Sequence, residues 1–474
     1  MSITIEPTTE SLPGYHAARH ISPQYTNFDG QLAIASHPIS RLVQHYGSPL
    51  YIYDEATILA QLAKLRDAFT ERVDVYYSIK ANPHRAIARR LIEAGCGIEI
   101  ASSGELHTAL KSGCSPNRIL FAGPGKTQRD LTEAVHYGIH EIHVESINEA
   151  QRLNDIAREH GRQVRVSMRI NPSQSAQGGA MRMGGKPAPF GIDEEQLIQV
   201  AQQISQLSHL KIVGVHLFTG TQILDADILL TQYKHALKVA RTLSQTIARP
   251  LETIDFGGGL GIPYFSHEHS LDLQAFATGF TSILEEIEND PALRDAQLII
   301  EPGRFLTAES GLYVTTVTDI KISRGKTFVV VDGGMHHHLA ASGNLGQTIK
   351  RNFPIAAITR LNEVQSTTVD IVGPLCTPLD TLARDISMPQ LAAGDLIGIF
   401  NAGAYARTSS PLGFLSHAAP PEVLIHKTGH QLIRRRGKPE DLWHDQIDTH
   451  VPSPILVPSP LKGEGARRAD EGEV

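Results

Sequence analysis

The sequence predicts a (β/α)8 TIM-like barrel followed by a C-terminal all-β domain, an α/β chain overall. Three observations carry that expectation. Short β-branched runs alternate strictly with amphipathic stretches between about residue 73 and residue 301, the runs number eight, and the texture changes after residue 305.

The runs are "VDVYYSI" (73–79), "GIEIA" (97–101), "RILFA" (118–122), "EIHV" (141–144), "VRVSMRI" (164–170), "KIVGVHLF" (211–218), "TIDF" (253–256) and "QLIIE" (297–301). Between them, "HRAIARRLIEAG", "TQRDLTEAVHYG" and "IDEEQLIQVAQQISQL" (192–207) place apolar residues three and four apart, the helical spacing. Alternation of this kind makes the strands parallel and the connections helical, and eight units favour a closed barrel over an open sheet. A dinucleotide fold is disfavoured because no GxGxxG follows the first run.

After residue 305, "LYVTTVTDIKI", "TFVVVDGG", "TTVDIVG" and "DLIGIF" read as strands separated by Gly, Pro and Asn. "GSPLYIYD", ahead of the barrel, is also strand-like and is expected to join that sheet. The expected division is an N-terminal segment over 1–49 joining the β domain, a barrel over 50–305, a β domain over 306–430, and a mostly disordered tail over 431–474. The tail is read from its Pro-rich and then charged composition.

A hydrophobic content of 41% with 20% charged residues is that of an ordinary soluble enzyme. A net charge of −7 argues against nonspecific nucleic-acid binding. Three scattered cysteines form neither a disulfide framework nor a zinc motif, which points to a reducing, cytoplasmic setting. The first twenty residues do not read as a signal peptide, and no run reaches membrane-spanning length.

In such a barrel the chemistry sits at the carboxyl ends of the strands. Lys80 follows the first run, Glu99 lies in the second, Arg169 ends the fifth, His216 and Phe218 lie on the sixth with Thr221 beyond, "FGGGLG" follows the seventh, and Glu301 and Arg304 follow the eighth. A lone lysine is usually a solvated charge. One at a barrel mouth after an apolar strand is expected to have a lowered pKa, the condition for Schiff-base formation. Gly257, Gly258 and Gly259 let backbone N–H groups approach an anion, at the loops that hold phosphate in many barrels. Glu301 pairs with a cation or faces a ring nitrogen. A lysine, a phosphate cradle and a carboxylate for a pyridine nitrogen together describe pyridoxal 5'-phosphate.

"YSIKAN", "HLFTGTQ", "FGGGLG", "EPGR", "GPLCTPLD" and "NAGAY" occur in the order found in the fold-type III pyridoxal-phosphate decarboxylases. Over roughly residues 35–430 the chain resembles that group, which comprises ornithine and diaminopimelate decarboxylases with an alanine-racemase-like barrel. The resemblance implies that Lys80 carries the cofactor and that Glu301 faces the ring nitrogen. It implies phosphate contacts from Thr221, Gly257, Gly258, Gly259, Arg304 and Tyr405. Glu99 and Glu105 match acidic positions near Lys80, and Arg169 matches a barrel arginine. Ser102 and Glu105 equally fit a helix capping box. The resemblance further implies a homodimer in which the loop of Cys376 reaches the partner's active site and helps to protonate or orient the substrate.

The sequence also departs from that group. Phe218 stands where its members stack a histidine on the ring. Thr377 stands where they hold an acid that binds a distal ammonium group. Asp380, closing the same stretch, and His216 count with Thr377 as candidate substrate contacts, His216 having a rival reading as a core histidine. "HHH" at 336–338 invites a metal reading, but on a strand only His336 and His338 share a face, and no metal is expected. "MRMGGKPAPFGID", "SGNLGQ" and "SSPLGFLSH" resemble the subgroup acting on carrier-protein-bound glutamate, or the exosortase-associated decarboxylases. The expected activity is therefore α-decarboxylation of an acylated or carrier-tethered amino acid without a distal ammonium group. Diaminopimelate or ornithine decarboxylase proper, a racemase, and a partner-sequestering homologue without catalysis remain as alternatives.

Overall fold

Residues in a strand face alternate sides, and in this chain that alternation separates oil from charge. The computed structural model describes residues 23–173, 181–182, 187–218, 220–347 and 349–447. Val73–Ser78, Gly97–Ile100, Ile119–Phe121, Glu141–Val144, Val164–Asn171, Leu210–Leu217, Thr253–Asp255 and Gln297–Ile300 each pair in parallel with the next. Gln297–Ile300 pairs back to Val73–Ser78, and the barrel closes. All eight runs expected from the sequence are its staves.

Ile98, Ile100, Ile142, Val144, Val166, Met168 and Ile170 belong to the large apolar cluster shared with the surrounding helices. The alternate positions hold Glu99, Glu141, His143, Ser167, Arg169, His216, Thr253, Asp255 and Glu301, all buried. By strand alternation these face the lumen. Tyr76, Leu120 and Ile299 form a separate apolar cluster on the same face. Below them Asp74 receives Arg118 and Gln297. The barrel interior is thus a filled, layered core with its polar layer towards the carboxyl ends.

Helix starts are fixed locally. Ser102, Ser146 and Asp272 accept N–H groups of the first turns, and Thr127 with Asp130 forms a full capping box. Helices Glu55–Phe69, Ala226–Ile247 and Leu273–Glu288 meet through Phe69, Tyr233, Phe276 and Phe280. Each favourable ring pair adds about 0.5–1.5 kcal/mol beyond area burial. The periodic stretch 192–207 forms a shorter helix, Leu197–Ser205, because Ile192–Asp193 is drawn into parallel pairing with Ile170 and Asn171.

The second sheet is organised by the long strand Gly311–Ser323. It pairs with Leu50–Asp54, Lys326–Val331 and Leu396–Ile399. Thr367–Val372 and Thr381–Met388 extend one edge, and Glu422–His426 with Gly429–Arg434 the other. Leu50–Asp54 is buried along its whole length and bonded on both edges, so a barrel beginning at residue 50 is corrected: the strand belongs to the β sheet, and barrel helices start at Glu55. The expected limit at 430 falls inside a hairpin that runs to Arg434, followed by a 3-10 turn at Pro439–Leu442. Residues 448–474 of the expected tail lie outside the described residues. The small sheet Tyr25–Phe28, Gln31–Ile34 and His37–Pro38 packs its apolar side on Leu312, Val314 and Phe400 of the β domain. Among the described residues no helix is long and apolar enough to cross a membrane.

Candidate active site

The polar layer opens into a cavity of about 450 Å³. Lys80, Glu99, Arg169, His216, Phe218, Thr221, Glu301, Arg304 and Tyr405 line it, nine of the residues singled out from the sequence.

Lys80 sits in the 3-10 turn Ile79–Ala81 that ends the first stave, where buried Ile79 and Ala81 leave it the only side chain of the turn facing the cavity. Its Nζ donates to both oxygens of Glu99, at 3.0 and 2.9 Å, and Ser78 Oγ donates to Glu99 Oε2 at 2.6 Å. The expected lowering of its pKa is corrected. Burial does oppose the charge, but Glu99, with Tyr405 and Glu301 behind it, outweighs burial and raises the ammonium's pKa.

Glu301 lies deeper, with Oε2 3.2 Å from His216 Nε2 and Oε1 3.8 Å from His143 Nδ1. The His143 and His216 rings lie 4.3 Å apart, and His143 Nε2 approaches Asp255 at 3.7 Å and Glu141 at 3.5 Å. Burial alone would raise the Glu301 pKa, but His216, His143 and Lys80 hold it well below the usual range. Asp255 goes the other way, raised by burial and by the Glu301 charge. The two buried carboxyls are thus pushed in opposite directions, Asp255 towards its protonated form and Glu301 towards its charged form. Burial pushes His216 down to about 4 despite Glu301, so it faces Glu301 as a neutral ring at pH 7.

The glycine loop is a cradle shaped by close approach. A Cβ at Gly257 would meet Leu217 O at 2.5 Å, and one at Gly258 would meet Glu301 O at the same distance. Gly257 and Gly259 adopt φ of 70° and 102°, a region open to glycine. Arg304 donates from Nη1 to Tyr264 Oη at 3.0 Å, and its guanidinium lies 4.7 Å from the Tyr405 ring centre. Arg169 donates to buried Glu145 at 2.6 Å, and its guanidinium lies 5.3 Å from the ring centre of Phe190 and 6.0 Å from that of Phe218. Separating that buried pair would strand a charge, at a cost of about 3–5 kcal/mol.

The donor set fits pyridoxal phosphate. Lys80 offers an amine to its aldehyde. Glu301 Oε1 and Arg304 Nε are buried with no hydrogen-bond partner among the described residues, one an acceptor suited to a ring N–H and the other a donor suited to phosphate. The ligand atoms of His143, His216, Asp255 and Glu301 also lie within 4.8 Å of one another, a spacing that could hold a metal ion. An ion there would take one Glu301 oxygen and so compete with a ring N–H for the charge of that carboxylate.

Other expectations fare differently. Glu105 accepts Ala101 N–H at 2.7 Å while Ser102 Oγ accepts Glu105 N–H, so both ends of the helix-start motif are engaged, though Glu105 reaches one residue short of a full capping box. Burial and the Glu99 charge push its pKa from the ordinary 4.5 to about 7. The folded state then holds a proton that the unfolded chain releases near 4.5, so stability falls as pH rises through that window and levels off above about 7. Glu105→Gln should flatten this slope; urea midpoints at about pH 5 and about pH 8 check it, and an unchanged slope counts against it. His336, His337 and His338 form a turn rather than a strand, packed among Tyr51, Tyr313, Phe353 and His417. Cys376 and Thr377 line no part of this chain's cavity, and Cys376 is exposed. Asp380 as a substrate contact is corrected: it is buried, and its carboxylate accepts the N–H groups of Met335 and Leu375 at 2.6 and 2.9 Å, which clamps the loop and leaves it no face for a ligand.

Sequence reading missed His143, Asp255, Glu145, Phe190 and Tyr264. The first two were accessible: Glu141 with His143, and Thr253 with Asp255, are polar residues two apart within short strands, the signature of a polar lumen.

A family model described as the pyridoxal-binding domain of pyridoxal-dependent decarboxylases matches residues 55–308. The L-glutamyl-[BtrI acyl-carrier protein] decarboxylase of Niallia circulans is 38% identical over 416 residues, covering 87% of this chain and 96% of that protein. The diaminopimelate decarboxylase of Aquifex aeolicus is 32% identical over 435 residues, covering 91% and 99%. The crystal structure of M. jannaschii diaminopimelate decarboxylase in co-complex with L-lysine superposes with a TM-score of 0.83 at 27% identity, covering 90% of this chain and 98% of that one.

Proposed function

The chain belongs to the pyridoxal-phosphate-dependent decarboxylases, and on that premise we propose that it removes the α-carboxylate of a glutamyl group tethered to a carrier protein, or of a similarly acylated L-amino acid. The observation that carries this reading is that every carboxylate lining the cavity among the described residues already has a partner of its own. Among the described residues, three carboxylates line the cavity, and each is engaged. Glu99 holds Lys80, Glu301 faces His216, and Glu268 accepts the N–H groups of Tyr264 and Phe265. Thr377, a neutral hydroxyl where diaminopimelate and ornithine decarboxylases carry an acid, agrees with this. So does the likeness to an enzyme named for a carrier-bound glutamyl substrate.

The cofactor, when bound, accepts the electron pair left on the α-carbon as carbon dioxide departs. Glu301 Oε1 holds the proton at the ring nitrogen, which keeps that acceptor strong; a cation there would weaken it. Arg304, Thr221, Tyr405 and the N–H groups of Gly258 and Gly259 would hold the phosphate, the Gly257 N–H being donated to Asp255 Oδ1 at 2.7 Å. Phe218, which lines the cavity, would cover a ring face. Glu99 holds Lys80 Nζ in place and exchanges its proton as the lysine engages and releases. Phe190, Phe265 and Phe353 wall the mouth and limit water. Our reading includes a homodimer in which Cys376 works in the partner's cavity. Its support is a loop clamped rigid by Asp380 that presents Cys376 outward.

A substrate panel tests the proposal: carrier-bound glutamate, free glutamate, ornithine and diaminopimelate, with carbon dioxide and product amine measured. Carrier-bound glutamate is expected to be turned over and diaminopimelate not; the reverse would overturn the reading. Thr377→Glu should shift kcat/KM towards diaminopimelate by roughly tenfold or more, the worth of one charge-assisted contact. No gain would remove Thr377 from the account.

A further inference from the structure

A second cleft of about 420 Å³ adjoins the catalytic cavity, and Phe265 and Phe353 line both. Its remaining walls come from Ser266 and His267, from Ala341 and Ser342, from Lys350–Asn352, and from Thr381–Asp385. The charges are lopsided. Lys350, Arg351 and Arg384 contribute three cations, and among the described residues none lies within ion-pair distance of a carboxylate. The one acid of the cleft among the described residues, Asp385, shares the Lys326 ammonium with Asp370, at 3.1 and 2.9 Å.

Unpaired surface cations are ordinarily solvated charges, but two of these, Lys350 and Arg351, are held by neighbours although exposed. Arg351 meets His267 Nε2 at 2.7 Å, and its guanidinium lies 5.6 Å from the centre of the Phe265 ring. Lys350 Nζ donates to the neutral Asn344 Oδ1 at 2.7 Å. Asn352 locks the two walls together, donating to Arg384 O at 2.7 Å and accepting Arg384 N–H at 2.9 Å. A cleft with two positioned cations, opening beside the catalytic cavity, suits an anion that stays outside while the reacting group goes in.

We propose that this cleft binds the phosphate group of the arm on which the glutamyl substrate is tethered, with Arg351 and Lys350 as its principal contacts. The inference rests on the carrier-bound reading above and names the part of that substrate which the second cleft recognises. A phosphate on a thioester arm is the anion such a substrate brings to the mouth, and guanidinium and ammonium groups are its complementary donors. No bond is made or broken at this subsite. Its effect is on KM, with chemistry at Lys80 unchanged.

The test compares glutamyl-pantetheine with glutamyl-phosphopantetheine, which differ by the phosphate alone, on the wild type and on a Lys350→Gln/Arg351→Gln variant. The wild type is expected to show a KM roughly tenfold lower for the phosphorylated thioester, and the variant a difference within about twofold. In the variant, kcat on glutamyl-pantetheine and the visible absorbance of the bound cofactor should be unchanged, which shows that fold and site are intact. Arg384→Gln, on the opposite wall, should narrow the gap independently. Equal KM values for the two thioesters in the wild type, or a gap that survives in the variant, overturn the subsite and leave the substrate reading standing. Turnover of free diaminopimelate with none of either thioester or of the carrier-bound form overturns both.

Discussion

Lys80→Ala should yield a folded protein that loses its cofactor on gel filtration, loses the visible absorbance of the covalently held group, and falls in kcat/KM by roughly 10³-fold or more. The size of the effect follows from the geometry. Lys80 is the amine lining the catalytic cavity, placed by a short turn whose neighbouring side chains are buried, so truncation removes the functional atom without disturbing the barrel. Its partner Glu99 is then left buried without its cation, held by Ser78 alone. That loss falls locally on a single buried carboxylate. Lys80→Arg is expected to fare no better, since a guanidinium restores the charge beside Glu99 but not a nucleophilic amine. The pair of variants therefore separates the charge of Lys80 from its chemistry. A Lys80→Ala protein that kept its absorbance through gel filtration, or more than about a hundredth of wild-type activity, would show that another residue carries the cofactor.

The fold was legible because each barrel strand has a different residue pattern on its two faces, and a period of two with helices between leaves few topologies. What was less legible depended on partners far away in sequence. Leu50–Asp54 reads as a strand that joins the β sheet, yet its neighbours there, Gly311–Val314 on one edge and Glu422–Ile425 on the other, lie far away in sequence and emerge only in the fold. The site shows the same divide. Lys80, Glu301 and the glycine loop follow from their places at strand ends. The raised pKa of Lys80 does not, because it depends on Glu99 being 2.9 Å away. Asp380 shows the limit from the other side: an acid in a stiff loop beside a cysteine looks like a ligand contact, and the backbone N–H groups it accepts are invisible until the loop is folded.

Glu301→Gln should lower kcat by roughly 10²–10⁴-fold while leaving the cofactor attached, and this contrast with Lys80→Ala distinguishes loss of electron withdrawal from loss of attachment. The substitution keeps the side chain's shape and its proximity to His216 but removes the anion. An amide oxygen accepts a hydrogen bond from a ring N–H without stabilising the positive charge, so the nitrogen loses its proton at neutral pH and the electron sink weakens. The surroundings sharpen the expectation. Glu301 is held towards its charged form because burial, which would neutralise it, is opposed by His216, His143 and Lys80, while burial and the Glu301 charge push the neighbouring Asp255 the other way. With Glu301 gone as an anion, burial still raises the Asp255 pKa but the repulsion that adds to it disappears, and Asp255 ionises more readily than in the wild type. Asp255 is therefore the group able to return a charge to the layer, and Glu301→Gln/Asp255→Asn should be slower still than the single variant. A Glu301→Gln enzyme with kcat within about threefold of the wild type would show that the ring nitrogen draws its proton from elsewhere. A double variant no slower than the single one would confine the electron sink to Glu301 and leave His143, His216 and Asp255 as its scaffold.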